Sequence, residues 1–181
     1  HSGVQEREWP LAPLPVLLRD AEWKAISAGL AQRADLLERV IADLHGPQTL
    51  VRRGLIPPTL IASNPEFLRP LMGVPPRGGH YLQFCAFELG RGPDGQWWVL
   101  GDRTQAPSGA GFALENRVAV TRALADVVGQ LHVHRLAGFF RHFRDALLKL
   151  ASGGGTAILT PGPNNETYYE HAYIARYLGI L

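Results

Sequence analysis

Glu88 and Asp102 are the first residues here whose types and spacing invite a chemical reading. Each lies near the end of a run alternating apolar and polar side chains, "HYLQFCAFELGRG" and "QWWVLGD", and "PDGQ" between them supplies turn chemistry. Such runs pair as a β-hairpin, which brings both carboxylates to the same end of neighbouring strands. Carboxylates held close together repel unless a cation lies between them. Mg²⁺ bridged to a phosphate is the hard, oxygen-seeking candidate, with Glu88 and Asp102 as its ligands. The plainer reading pairs Asp102 with Arg103 or Arg91 as a surface ion pair.

Downstream, "PSGAG" (107–111) precedes a helical pattern. Its glycines would let backbone N–H groups approach an anion at a helix N-terminus. The Lys that a Walker loop places after its last glycine is missing, and Ser108 as an N-cap is the preferred reading of the stretch. His132 and His134 of "HVH" share one face if that segment is a strand. Without a Cys partner or an HExxH pattern, they and His142 read as solvent-facing histidines. "TPGPNNETYYEH" succeeds a strand-like run and opens a helix, where ligands bind in α/β folds. Asn164, Asn165, Glu166 and Thr167 are the polar candidates. An N-cap by Asn164 or Asn165, with Tyr168, Tyr169, Tyr173 and Tyr177 as core and rim, accounts for the same residues. No local Ser-His-Asp motif is present, and Cys85 has no evident base.

The elements that must position these residues emerge from periodicity. Asp20 reads as the N-cap of a long helix whose stripe runs Trp23, Ile26, Leu30, Ala34, Leu37, Ile41 and Leu44, ending at His45-Gly46-Pro47. "WPLAPLPVLL" before it is an extended lead-in. "PQTLVRRG" is a short helix stopped by Gly54, and the proline-rich stretch to Gly79 allows only helical turns and loop. After the hairpin, 111–128 is helical, "QLHVHRL" is a short strand, 136–150 is an amphipathic helix, and "ASGGG" is a joint. The last stretch reads as a strand, a Pro-Gly turn and a helix, the opening of a βα unit. The expected partition is 1–56, 57–150 and 151–181.

The 181 residues are 46% hydrophobic and 19% charged, which suits a folded core. A net charge of +2, with acids and bases interleaved, argues against a nucleic-acid partner. The single cysteine excludes an internal disulfide and fits a reducing compartment, so a cytoplasmic location is expected. No apolar run reaches the ~18 residues of a membrane span, so no membrane partner is expected.

Four stretches taken together resemble the circularly permuted ATP-grasp proteins: "AQRADLLERVIADLHGPQTL", "LIPPTLIASNPEFLRPLMGV", "GPDGQWWVLGDRTQAPSGAGFALENR" and "LTPGPNNETYYEHAYIARYLG". They cover about Trp9 to Leu181 in the family's order. The resemblance implies a mixed α/β fold: an ATP-grasp-type antiparallel sheet with packed helices, then the first βα unit of a pre-ATP-grasp-like domain. It also implies an N-terminal fragment of a longer chain, with a truncation face through which copies could associate as a homo-oligomer. The implied activity is that of ATP-dependent carboxylate–amine ligases similar to glutathionylspermidine synthase, which use ATP and Mg²⁺ to form an acyl phosphate that an amine attacks. Nucleotide and small acid and amine substrates are then the expected partners.

By that resemblance, Glu88 stands where the family's first hairpin strand carries an Asp. Gly101-Asp102-Arg103 stands in place of a Glu-Asp-Asn triplet. Asp102 and Arg103 become the catalytic candidates, and Glu88 and Asp102 the metal ligands. Ser108, Gly109, Gly111, Asn116 and Arg117 would line the nucleotide cleft, and Asn165, Glu170 and His171 the substrate pocket. Glycine offers no ligand atom and Arg is a cation, so Arg103 could instead occupy the metal's place. That departure keeps a non-catalytic binding or assembly module open as the alternative.

Overall fold

A computed structural model describes residues 11–12 and 14–180. Trp9, Pro10 and Pro13 of the expected lead-in, and Leu181, lie outside the described residues. The class is mixed α and β, with helices and one antiparallel hairpin among the described residues. None of these helices is long and apolar enough to cross a membrane. The chain forms two compact units, one of Leu18–Pro107 and one that takes in Ser108 onward together with the described residues before Leu18. One division falls at the glycine-rich loop, and positions 56 and 150 lie inside these units. The long helix packs with the hairpin, and the later helices pack with one another.

The first unit is organised around α1 (Asp20–His45), whose apolar stripe the sequence spells out. Arg19, not Asp20, takes the N-cap position, without a side-chain cap. Asp20 instead pairs with Lys24 one turn on, at 2.6 Å. Carboxylates on α1 then hold the segments that come after the helix. Asp43 accepts the backbone N–H groups of Thr49 and Leu50, each at 2.9 Å, and so caps α2 (Thr49–Arg52). The Leu50 N–H leads in holding the Asp43 carboxyl below its ordinary range. Gly54 (φ 71°) stops this helix as expected. The proline-rich stretch becomes α3 (Pro58–Ala62) and two 3₁₀ turns, Arg69–Leu71 and Arg77–Gly79.

The hairpin pairs β1 (Ala86–Arg91) with β2 (Trp97–Arg103). Gly95 (φ 78°) supplies the left-handed residue of the turn, and Asp94 accepts the Gln96 N–H at 3.0 Å. Ladder pairing begins only at Ala86, although the alternation begins at His80. Glu38 on α1 explains the difference: it accepts the Tyr81 N–H at 3.0 Å and the Leu82 N–H at 2.8 Å, tying both amides to the helix.

The second unit contains α4 (Ala110–Ala123), α5 (Ala125–Gln130), α6 (Ala137–Ala151) and α7 (Tyr168–Leu178). The helix expected over 111–128 breaks at Leu124, where φ −126° and ψ 41° separate α4 from α5. The expected "QLHVHRL" strand is a turn instead. His132 is left-handed (φ 49°), and Arg117 Nη1 donates to the His134 carbonyl at 2.7 Å. Residues 155–160 have no ladder partner among the described residues, so the strand of the expected βα unit is not formed there, whereas its helix is. Leu114, Phe140, Ile174 and Leu178 form the core, surrounded by Leu136, Phe143, Leu147, Ile158 and Tyr173. Burying such side chains stabilises by roughly 1.5–3 kcal/mol each. Gly179 (φ 67°) ends α7, and the Ile180 N–H closes back on the Ala175 carbonyl at 2.9 Å, a glycine-terminated Schellman cap.

Candidate functional site

The hairpin register decides the fate of the carboxylate pair. Glu88 lies opposite Gly101, Phe87 opposite Asp102 and Ala86 opposite Arg103. Side chains alternate faces along a strand. Glu88 and Asp102, one step apart in register, therefore project to opposite faces of the hairpin. The expected shared metal site is corrected by this geometry: these two carboxylates do not converge on one ion. No group of three or more His, Cys, Asp or Glu that could hold a metal exists among the described residues.

Each carboxylate has a guanidinium instead. Asp102 faces α1, where Arg33 grips it with two hydrogen bonds, Nε to Oδ1 at 2.6 Å and Nη2 to Oδ2 at 2.7 Å. Sequence spacing offers Arg103 or Arg91 as its partner. It cannot find Arg33, which is 69 residues away and reaches Asp102 only through the packing of α1 on the hairpin. The Arg33 hydrogen bonds hold the Asp102 carboxyl below the usual range. On the other face, Glu88 Oε1 accepts from Arg103 Nε at 2.8 Å and from Arg103 Nη2. Both side chains are at least half exposed. Trp98 and Leu100, 62% and 70% exposed, extend the hairpin's uncovered apolar surface.

The face toward α1 has a second anchor that spacing does not reveal. Trp97 Nε1 donates to Glu22 Oε1 at 2.7 Å, and Arg91 stands 3.5 Å from the same oxygen. Between α1 and the hairpin lies a groove of about 870 Å³ lined by Ile26, Leu30, Leu89 and Val99 among others. Its Glu22 and Arg33 already have partners.

In the second unit, the glycine loop does cradle an anion, and the anion is the protein's own. Glu170, 1% exposed, accepts the N–H of Gly109 at 2.6 Å and of Gly111 at 3.0 Å through Oε1. The α4 N-terminus thus receives a carboxylate where its dipole favours one. Gly109 takes the N-cap position with φ 119°, and the Ser108 side chain makes no cap. Both the nucleotide role of these amides and the Ser108 cap are therefore corrected in this arrangement. Glu170 is turned into the core and is not presented to a ligand.

The remaining candidates divide. Asn165 Oδ1 accepts the Thr167 N–H at 2.9 Å and hydroxyl at 2.6 Å, so it builds the turn into α7. Asn116 and Arg117 are half-buried on α4, and Arg117 is committed to the His134 carbonyl. His171 Nδ1 and Glu170 Oε2 are buried without a hydrogen-bond partner among the described residues. Glu115 faces α7, where burial foremost and then its hydrogen bond push the Tyr173 hydroxyl up.

Known proteins are similar to this chain in sequence. The family model of circularly permuted ATP-grasp type 2 matches residues 15–181. An uncharacterized protein of Mycobacterium tuberculosis is 37% identical over 176 residues, covering 95% of this chain and 20% of its own length. One of Synechocystis is 31% identical, covering 97% and 37% respectively, and one of Mycobacterium leprae is 32% identical, covering 97% and 32%. The chain thus spans about a fifth to somewhat over a third of the length of these relatives. With the family model matching nearly end to end, the chain belongs to the circularly permuted ATP-grasp type 2 family.

Proposed function

We propose that this chain supplies part of an ATP-dependent carboxylate–amine ligase, which activates an acid as its acyl phosphate and passes it to an amine. The family match over 15–181 carries the proposal, since the fold is ligase-like. Bound ATP would supply the phosphoryl group that turns the acid's oxygen into a leaving group. The hairpin carboxylates do not fit a shared Mg²⁺, and the α4 amides are filled by Glu170, so neither is given a step.

What this chain's own residues contribute is electrostatic. Glu88 fixes the Arg103 guanidinium from one side and leaves its outer edge exposed. A guanidinium so placed can grip two oxygens of a carboxylate or phosphoryl group and stabilise the charge growing there. Asp102 acts through position: locked to Arg33, it anchors the end of β2 on α1. His171, with Nδ1 unpartnered among the described residues, is retained toward the acid or amine. The proposal also keeps a cytoplasmic setting, partners limited to nucleotide and small substrates, and self-association through an uncovered face.

The test is hydroxamate formation by the full-length protein, with hydroxylamine as amine, ATP and a panel of small acids. Formation that falls at least tenfold in Arg103→Ala supports the reading. A full-length protein that binds no nucleotide by calorimetry contradicts it. A second reading, a non-catalytic binding or assembly module, is favoured by one observation: Arg33 and Arg103 neutralise both hairpin carboxylates. It expects the calorimetric blank.

A further inference from the structure

We infer that the hairpin's resident cation is Arg103 itself: this face meets an anionic oxygen group directly through a guanidinium and binds no divalent ion. The inference deepens the ligase reading by naming how an acid or phosphoryl oxygen is met, although its test uses neither ATP nor turnover.

The first support is the register. A metal on the outer face could draw on residues 86, 88, 101 and 103. Of these, Ala86 and Gly101 have no ligand atom, and Arg103 is cationic. Glu88 alone remains, and its Oε1 already accepts from the Arg103 guanidinium, which stands where an ion would have to sit. Asp102 cannot join it without leaving the opposite face and breaking both Arg33 hydrogen bonds.

The second support is the space around Glu88. A Cβ on Gly101 would stand 3.1 Å from Glu88 Oε2, so the glutamate leans across the glycine and fills the ground a second ligand would need. Glycine at 101 leaves a flat floor over which the long Arg103 side chain reaches diagonally to Glu88.

The third support is the state of the guanidinium. Nε and Nη2 are both directed at Glu88 Oε1, while Nη1 has no partner among the described residues. Arg103 is 62% exposed, so an incoming anion needs no rearrangement to reach it. The fork geometry of arginine suits two oxygens of one carboxylate or phosphoryl group. Glu88 sets the fork's orientation and limits the affinity, because it competes for the same charge.

The experiment uses ¹H–¹⁵N spectra of the chain, with Mn²⁺ and inorganic phosphate titrated separately. Phosphate should shift the Arg103 Nε–H signal and the amides of 88 and 101–103 saturably, and Arg103→Gln should lose that response at least fivefold. Mn²⁺ should broaden those amides no more than other exposed ones. Site-specific Mn²⁺ broadening at Glu88 or Asp102 in the native chain would overturn the inference. So would a phosphate response that Arg103→Gln leaves intact. The amide spectrum of the variant verifies its fold, and the Mn²⁺ arm needs no variant. If hydroxamate formation fails while these outcomes hold, the ligase reading falls and the metal-free anion site stands.

Discussion

Gly111 on α4 and Glu170 on α7 occupy complementary volumes: a Cβ at 111 would come 2.7 Å from Glu170 Cγ. The same glutamate receives the Gly111 N–H. Backbone and side chain can approach this closely only because residue 111 has no side chain. Gly111→Ala should therefore force the two helices apart and lengthen that hydrogen bond. A loss of about 1–3 kcal/mol is expected, as for other overpacked cores. Urea unfolding of the variant measures it, and an unchanged midpoint would contradict the contact.

Glu170 itself should behave as a cap and not as a substrate ligand. Glu170→Gln keeps an oxygen for the Gly109 and Gly111 N–H groups and loses the charge at the α4 N-terminus. Glu170→Ala leaves both donors orphaned and a cavity behind, for a cost of about 3 kcal/mol. Hydrogen exchange at the Gly109 and Gly111 amides should accelerate strongly in the Ala variant and weakly in the Gln variant. Equal protection in all three proteins would remove the capping role.

Why the sequence yields some of this and hides the rest is visible in these residues. The α1 stripe, the Gly54 and Gly179 stops and the Asp94-Gly95 turn are local, and periodicity or a left-handed glycine announces each one. The proximity of Glu88 and Asp102 is legible as well, but their faces are not. Facing depends on register, and a bulge between Glu88 and Leu89 changes the count along the hairpin. At "PSGAG" the glycines announce an anion without its source, since Glu170 lies 61 residues from Gly109. "QLHVHRL" and 155–160 alternate like strands, yet alternation supplies no ladder without a neighbour to pair with.

Asp102 and Arg33 should be coupled, and the coupling should depend on pH. Arg33 lowers the folded-state pKa of Asp102 from 3.8. A carboxyl with a depressed folded pKa stabilises the fold above its unfolded pKa, and that contribution is lost as pH falls through the folded value. In a double-mutant cycle of Arg33→Ala and Asp102→Asn at neutral pH, the interaction should be favourable but small, given the exposure of the arginine. It should shrink as pH falls below 3.8 through the lowered folded value. An interaction energy that stays constant throughout the acid range would show that charge is not its source.

Cys85 should be a slow nucleophile. Burial foremost, then the charges of Glu38 and Asp102, push its thiol up, so little thiolate exists at neutral pH. Alkylation by iodoacetamide at pH 7.5 should run several-fold slower than for an unperturbed thiol, and urea should restore the ordinary rate. A native rate equal to the unfolded one would contradict the desolvation.

Trp97 offers an optical reading of the α1–hairpin contact. Its indole N–H donates to Glu22, and that bond leads in lowering the Glu22 pKa from 4.5, with Arg91 adding to it. Arg91 also lies 5.7 Å over the Trp97 ring. Protonating Glu22 converts a charged acceptor to a neutral one and loosens Arg91, so the environment of the ring should change as acid is added. The chain has four tryptophans, so the informative quantity is native fluorescence minus that of Glu22→Gln. That difference should titrate with a midpoint below the ordinary glutamate range, because the folded state holds the carboxylate ionised to lower pH. A midpoint at or above the ordinary value would mean that the indole hydrogen bond does not favour the charged form, and the anchor at this end of the hairpin would have to be sought elsewhere.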